Sequence, residues 1–452
     1  MTKSPSKSRH PKELFILSFA ELCERYTFWG IGNLLVLYLV QYYKMPNAHA
    51  TSAYGIFTGC AAALPLLGGF IADRWNYRHP MIIGALVNAL GALLIAFGQP
   101  HLLYIALVLI ALGYGLFTPS ILTLLGNTYH EVPHLREAGF SIYYASINVG
   151  VFLAMISLGW VVQKLGWSAG FLLASAVQLC GLIPIFVYLK KHHGDAKVKH
   201  PRKSKIPTEP LKSYEKQRVV VLLIFAVVSI LFWMNYSQGF SSMSLFGLHY
   251  TDRIIGNFEI PTPWLLSSES FFLIVLAPIL AALYGYLQKI RRDPSATIKT
   301  SLGLISMALC FLIMVIASLK IPPGAKSAQI SFGFPILAYF LMAIGEMLLA
   351  PIGLSLITRL SPRRFTALLV GFWYVCVGIA FFLGGQLAGL MNKLHALSDF
   401  FLIFVFTTAI PGVVLWVFSK KINKMKHIEK LSEDAQKEEQ LITPYDLTEG
   451  KP

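Results

Sequence analysis

Three ionisable side chains within five residues, Glu21, Glu24 and Arg25, lie in the stretch ELCERYTFWG of an otherwise apolar segment. At about 1.5 Å per residue they fall roughly 10 to 16 Å beyond a helix start. That depth is the hydrocarbon slab of a bilayer, where each charge costs on the order of 2.5 to 3.5 kcal/mol. Glu21 and Arg25 are four residues apart and share a helix face, so they can pair. Glu24 is offset by one residue from Arg25 and points toward another helix or a cavity. One arginine cannot neutralise two carboxylates, so one carboxyl is left as a candidate proton carrier. The competing reading is a buried structural ion pair. Intramembrane ionisable residues are functional by default, which favours the first.

The elements that position these groups are membrane spans. The chain is 55% hydrophobic and 13% charged, well above and well below the shares of a soluble domain. A spanning helix needs about 20 mostly apolar residues. Such runs are expected near 14–43, 50–72, 80–129 (divided at Gly98-Gln99-Pro100), 138–163, 167–189, 219–250, 270–287, 300–319, 327–360, 367–391 and 400–419, about twelve spans in all. The expected fold is an all-α membrane protein with twelve transmembrane helices in two six-helix bundles, the layout of a major facilitator fold with a midplane site. The expected organisation is an N-terminal tail over 1–13, a bundle over 14–190, a Lys-, His- and Pro-rich linker over 191–216, a bundle over 217–420 and a C-terminal tail over 421–452.

Basic residues mark the cytoplasmic side. Arg74 with Arg78, Arg136, Lys289 with Arg291 and Arg292, and Arg359 with Arg363 and Arg364 fall in alternate loops, and Lys3, Lys7, Arg9 and Lys12 precede the first span. Both termini are therefore expected to be cytoplasmic, in a bacterial inner membrane. The net charge of +16 is largely this bias. It is spread along membrane edges and forms no single patch, which argues against a nucleic-acid partner.

Cys23, Cys60, Cys180, Cys310 and Cys376 all fall in expected spans with no disulfide or metal spacing and read as core filler. Gly55 with Gly59, Gly166 with Gly170 and Gly385 with Gly389 would let helices approach closely. No GxxxxGK, HExxH or GxSxG motif is present, so neither an enzyme nor a nucleotide-driven pump is expected, and no cofactor or metal. His49, His79, His101, His130 and His249 lie near helix ends and read as interfacial.

ELCERYTFW resembles the ExxERFxYY motif of the proton-dependent oligopeptide transporter family. GGFIADR (68–74), FSIYYASINVGVF (140–152), GEMLLAPIGL (345–354), Phe232-Trp233 with Gln238, and Ala277-Pro278 resemble that family's other motifs in order, from about residue 15 to 395. The resemblance implies proton-driven uptake of di- and tripeptides by a monomer surrounded by lipid, with protons and a small peptide or peptide-like molecule as its partners. Glu21, Glu24 and Arg25 would couple proton to peptide, and Arg25 would also face the peptide carboxylate. Asn148 and Glu346 would hold the amino group, and Trp29 and Trp373 would line side-chain pockets.

Departures from the motifs are equally informative. Thr118 stands where the family has a lysine, Gly32 where it has a second arginine, Ser237 where it has an acid, and Glu269 where it has an asparagine. Arg25 is then the one cation left for a carboxylate, while Glu269 and Glu346 could both attract an amine. The expectation is a substrate that presents an amine more strongly than a carboxylate, against an ordinary dipeptide. A proton-driven exporter or facilitator of cationic amines, and a non-transporting peptide sensor, are the alternatives.

Overall fold

A computed structural model of the chain describes residues 9–129, 132–191, 212–322, 325–361 and 366–427. Its helices are α1 (Lys12–Gln41), α2 (Asn47–Arg74), α3 (Arg78–Ala96), α4 (Pro100–Thr128), α5 (Arg136–Leu165), α6 (Trp167–Lys191), α7 (Ser213–Tyr236), α8 (Ser242–His249), α9 (Thr262–Lys289), α10 (Ala296–Ser318), α11 (Gly333–Leu360), α12 (Thr366–Ala388) and α13 (Leu397–Met425). Among the described residues, eleven helical segments are long and apolar enough to cross a membrane, with α7 and α8 counted as one. The twelfth span is α1, whose charges hide it from a hydropathy test. Its side chains from Glu21 to Leu39 are almost all buried, so α1 is enclosed by its neighbours rather than turned to lipid.

Helices α1 to α6 pack together as one bundle and α7 to α13 as a second. The eighth span begins at Thr262, a little over two turns before the expected 270, and this brings Glu269 inside the helix. The seventh span is broken. After Tyr236 the chain makes a 3₁₀ turn over Ser237–Phe240 before α8 resumes. Hydroxyls compete with the backbone ladder there: Ser237 donates to the Met234 carbonyl, Ser241 to Ser237 and Ser244 to Gly239. Beyond α8, strand β1 (Thr251–Asp252) pairs with β4 (Ile330–Ser331), and β2 (Ile254–Ile255) with β3 (Phe258–Glu259) forms a hairpin.

The two bundles meet chiefly along α2 with α12 and α5 with α9. A β-carbon on Gly55 would lie 2.8 Å from the Gly385 Cα, and one on Gly59 would lie 2.8 Å from the Gly378 carbonyl oxygen. Gly389 likewise approaches Ala48. Gly166 has a different role from the close approach expected of it. It ends α5 at a φ of 90° with nothing within 4 Å, a conformation that favours glycine. On the other seam Pro263 abuts Gly159, the Trp264 indole donates to the Ile156 carbonyl, and the Gln163 amide donates to the Glu259 carbonyl. These contacts lie in the half of the molecule remote from the two chain termini and hold that end shut.

At the opposite end, Arg218 near the start of α7 donates to the carbonyls of Lys426 and His427, just past α13. The buried Lys426 ammonium donates to Thr297 and Asn423, and Asn423 donates to Ser295 at the start of α10. Most of the expected linker, the far C-terminal tail and His130 lie outside the described residues. The cysteines are free. Cys23, Cys310 and Cys376 are buried as expected, whereas Cys60 and Cys180 are exposed on the bundle's outer face. That face carries a belt of large apolar side chains, among them Leu67, Val108, Ile183 and Val417, as lipid contact requires.

Candidate functional site

A cavity of about 320 Å³ lies between the bundles, within the size range of small-molecule sites. Its wall takes Trp29 and Asn33 from α1, Tyr114 from α4, Tyr144 and Asn148 from α5, Trp233 and Tyr236 from α7, Glu269 from α9, Glu346 from α11 and Trp373 from α12. Trp29, Asn148, Glu269, Glu346 and Trp373, separated by up to 344 positions in sequence, are thus brought to one surface. Tyr144, on the half of α5 nearer the termini, is 46% exposed although it lines the cavity.

Glu21, Glu24 and Arg25 stand behind this wall. Arg25 is 4% exposed and the two glutamates 0%. Arg25 Nε donates to Glu21 Oε1 at 2.7 Å, Nη1 is 3.3 Å from Glu24 Oε2, and Nη2 donates to Thr118 Oγ1 at 3.1 Å. The guanidinium carbon sits 4.9 Å from the centre of the Tyr114 ring, a cation–π distance. Tyr114 is what separates it from the cavity. Arg25 was expected on the wall, facing a carboxylate, and in this conformation the Tyr114 ring occupies that place. Asn88 donates to Glu24 Oε1 at 3.3 Å, while Glu21 Oε2 and Glu24 Oε2 have no hydrogen-bond partner.

The altered positions fit this arrangement. Thr118 supplies a neutral hydroxyl that takes one Arg25 N–H, where a lysine would place a second cation against the guanidinium. Gly32 meets only the Phe57 ring at an ordinary 3.5 Å. Ser237 is fully buried and bonded to its own helix, facing Gly384 of α12. The neighbouring Gln238 donates to the Gly384 carbonyl at 2.8 Å, tying the 3₁₀ turn to α12.

On the C-terminal bundle the acids are grouped differently. Glu269 accepts from the Tyr236 hydroxyl at 3.1 Å and from Ser270 at 3.2 Å. Glu346 lines the same wall beside Glu269 and the Tyr236 hydroxyl, and its Oε2 has no partner. The four acids therefore fall into two groups, one neutralised in part by Arg25 and one with no Lys, Arg or His among the described residues that line the cavity. Tyr114 and Tyr236 were not singled out in the sequence. Their aromatic positions look like packing, and their contacts depend on helices far away in the chain. His249 sits at the end of α8 beside Tyr250, away from the cavity wall. No group of three or more potential metal ligands occurs among the described residues.

Residues 17–334 match the family model of the Major Facilitator Superfamily. The chain is 29% identical to the peptide transporter YePEPT of Yersinia enterocolitica over 86% of this chain and 89% of that one. It is 25% identical to the dipeptide and tripeptide permease A of Escherichia coli over 92% and 94%. It is 28% identical to the transporter YclF of Bacillus subtilis over 90% and 93%. Among solved structures, the peptide transporter POT in complex with sulfate superposes with a TM-score of 0.83 at 23% identity, covering 93% of this chain and 97% of that one. A POT family transporter in complex with 5-aminolevulinic acid gives 0.81 at 23%, covering 92% and 98%.

Proposed function

Because the chain belongs to the Major Facilitator Superfamily, a family of transporters and not of enzymes, we propose that it is a proton-coupled symporter of di- and tripeptides or peptide-like amines. The observation that carries the reading is the cavity between the bundles, with a buried Glu21–Arg25–Glu24 group one aromatic ring behind its wall. The ordered family motifs and the peptide-transporter names of relatives matched over nearly the whole chain support it. Glu21, Glu24 and Arg25 serve as the coupling group. Trp29, Asn148, Glu269, Glu346 and Trp373 contact the substrate, and Arg25 does so when Tyr114 moves aside. With the basic loops in the cytoplasm of a bacterial cell, both termini are inside, and the end closed by Gly55–Gly385 and Gly159–Pro263 is the outer one. The conformation described is then inward-facing, in a monomer surrounded by lipid.

The substrate's amine is the better recognised end. Among the described residues, the cavity wall carries two carboxyls and no Lys, Arg or His, and a desolvated acidic wall calls for a proton or a cation. One proton entering through about 100 mV gains roughly 2.3 kcal/mol, and a pH difference of one unit adds about 1.4 kcal/mol. Together they sustain about a 500-fold gradient of a neutral solute, so one proton suffices. The same wall favours a second reading, proton-driven export or facilitated passage of cationic amines.

Proteoliposome uptake of alanyl-alanine and of its C-terminal amide tests the proposal. Accumulation of either that collapses with a protonophore is expected, with the amide at least equal to the free acid. Absence of accumulation removes the symporter. Strong preference for the free acid removes the amine selectivity.

A further inference from the structure

Glu269 and Glu346 reach the cavity from α9 and α11, 1% and 8% exposed, and adjoin one another. The titratable groups around them are Tyr236 of α7, Tyr144 of α5 and Tyr339 of α11. Among the described residues lining the cavity there is no Lys, Arg or His to neutralise either carboxyl. Tyr236 and Ser270 donate to Glu269. Glu346 Oε2 is buried and unpartnered on the same wall. Two adjacent carboxylates cannot both stay ionised in a dry site, and a hydrogen bond between two carboxyls exists only when one carries a proton.

We propose that this pair is a one-proton site that the substrate's ammonium group empties. In the unloaded cavity Glu269 and Glu346 share a single proton. An entering ammonium group takes its place, donating its N–H groups to both carboxylates, among them the free Glu346 Oε2. The proton leaves to cavity water, so the charge of the pair with its occupant stays the same. Proton and amine therefore compete at the C-terminal bundle, whereas the Glu21–Arg25–Glu24 group takes its proton independently. This rests on the cavity being the substrate site, and it assigns the pair's second acid, Glu269, a role in selectivity that an asparagine could not fill. An asparagine there cannot share a proton with Glu346.

Binding of alanyl-alanine amide to the purified full-length chain is measured from about pH 5.5 to about pH 7.0, below the range in which a peptide amine itself titrates. Affinity is expected to tighten with rising pH, by up to about tenfold per unit. Up to one proton per bound amide is expected to appear in weak buffer. Glu269→Asn should lose both the slope and the release. Affinity that is flat, or tightens as pH falls, or binding that takes up protons, overturns the proposal. Failure of the chain to bind either the amide or alanyl-alanine would count against the substrate reading alone. The shared proton is then decided by infrared spectra of the ligand-free protein. A protonated-carboxyl band component in the wild type that shifts or is lost in both Glu269→Asn and Glu346→Gln is expected, and identical spectra for wild type and variants overturn it.

Discussion

Glu24 lies 3.3 Å from Arg25 without a hydrogen bond between them, whereas Glu21 takes the Arg25 Nε–H at 2.7 Å. The two acids therefore differ in commitment. Glu21 carries a charge-assisted bond, roughly twice as strong as a neutral one. Glu24 accepts only from the Asn88 amide. In the proposed coupling, Glu24 is the carboxyl that takes a proton and gives it up with little rearrangement. Glu24→Gln is expected to abolish protonophore-sensitive accumulation while leaving counterflow exchange of labelled substrate within about twofold of the wild type. Glu21→Gln, by contrast, removes the charge from the carboxylate bonded to a buried guanidinium, at a cost of up to about 3 to 5 kcal/mol. It should lower both activities and the melting temperature. Equal loss of counterflow in the two variants contradicts the assignment.

The Gly55–Gly385 seam makes a second expectation concrete. Valine at Gly55 would drive its β-carbon into the Gly385 Cα and the Phe382 carbonyl. Overpacking of this kind costs about 1 to 3 kcal/mol, which shifts the ratio of the two orientations by roughly 5- to 150-fold. Gly55→Val should therefore favour opening at the outer end. With the five native cysteines replaced, a single cysteine introduced at Ser52 should react faster with a membrane-impermeant thiol reagent in that variant. Gly285, which has nothing within 4 Å, is the control, and Gly285→Val should leave labelling unchanged.

Lys426 supplies a pH dependence outside the membrane spans. Burial, with Arg359 adding to it, brings its ammonium down to about 8 from an ordinary value of 10.5. The unfolded chain thus binds more protons between these two values, so stability rises with pH across that window and its charging cost is fully felt below pH 8. The gap corresponds to roughly 3 kcal/mol. Lys426→Met should melt at a higher temperature than the wild type near neutral pH, with the difference shrinking as the pH is raised past 8. A difference that stays constant with pH contradicts the account.

Much of the fold was legible because bilayer physics writes itself into composition. Long charge-free runs and alternating basic loops gave the span count and the grouping of the spans, and α1 was recognised despite its charges because those charges demanded an explanation. The break at Ser237–Phe240 was missed because the whole 219–250 run is apolar, and hydropathy does not register serine hydroxyls that bond back to the helix. Of the candidate site, Trp29, Asn148, Glu269, Glu346 and Trp373 share one wall. The retreat of Arg25 behind Tyr114 could not be read, since it depends on side-chain directions across α1 and α4. The contact between Glu269 and Glu346 was hidden for the same reason, as their helices are neighbours in space and distant in the chain.

The clasp in which Arg218 grips the carbonyls of Lys426 and His427 joins the first and last helices of the second half. A ring of staves hooped at one rim tilts as a unit and cannot fan open there. The hoop is on the rim that carries the chain termini, and a soft joint in the same half, the 3₁₀ turn at Ser237–Phe240, lies toward the opposite rim. A bend at that turn would widen the rim remote from the termini, whereas the clasped rim would move with its half as a unit.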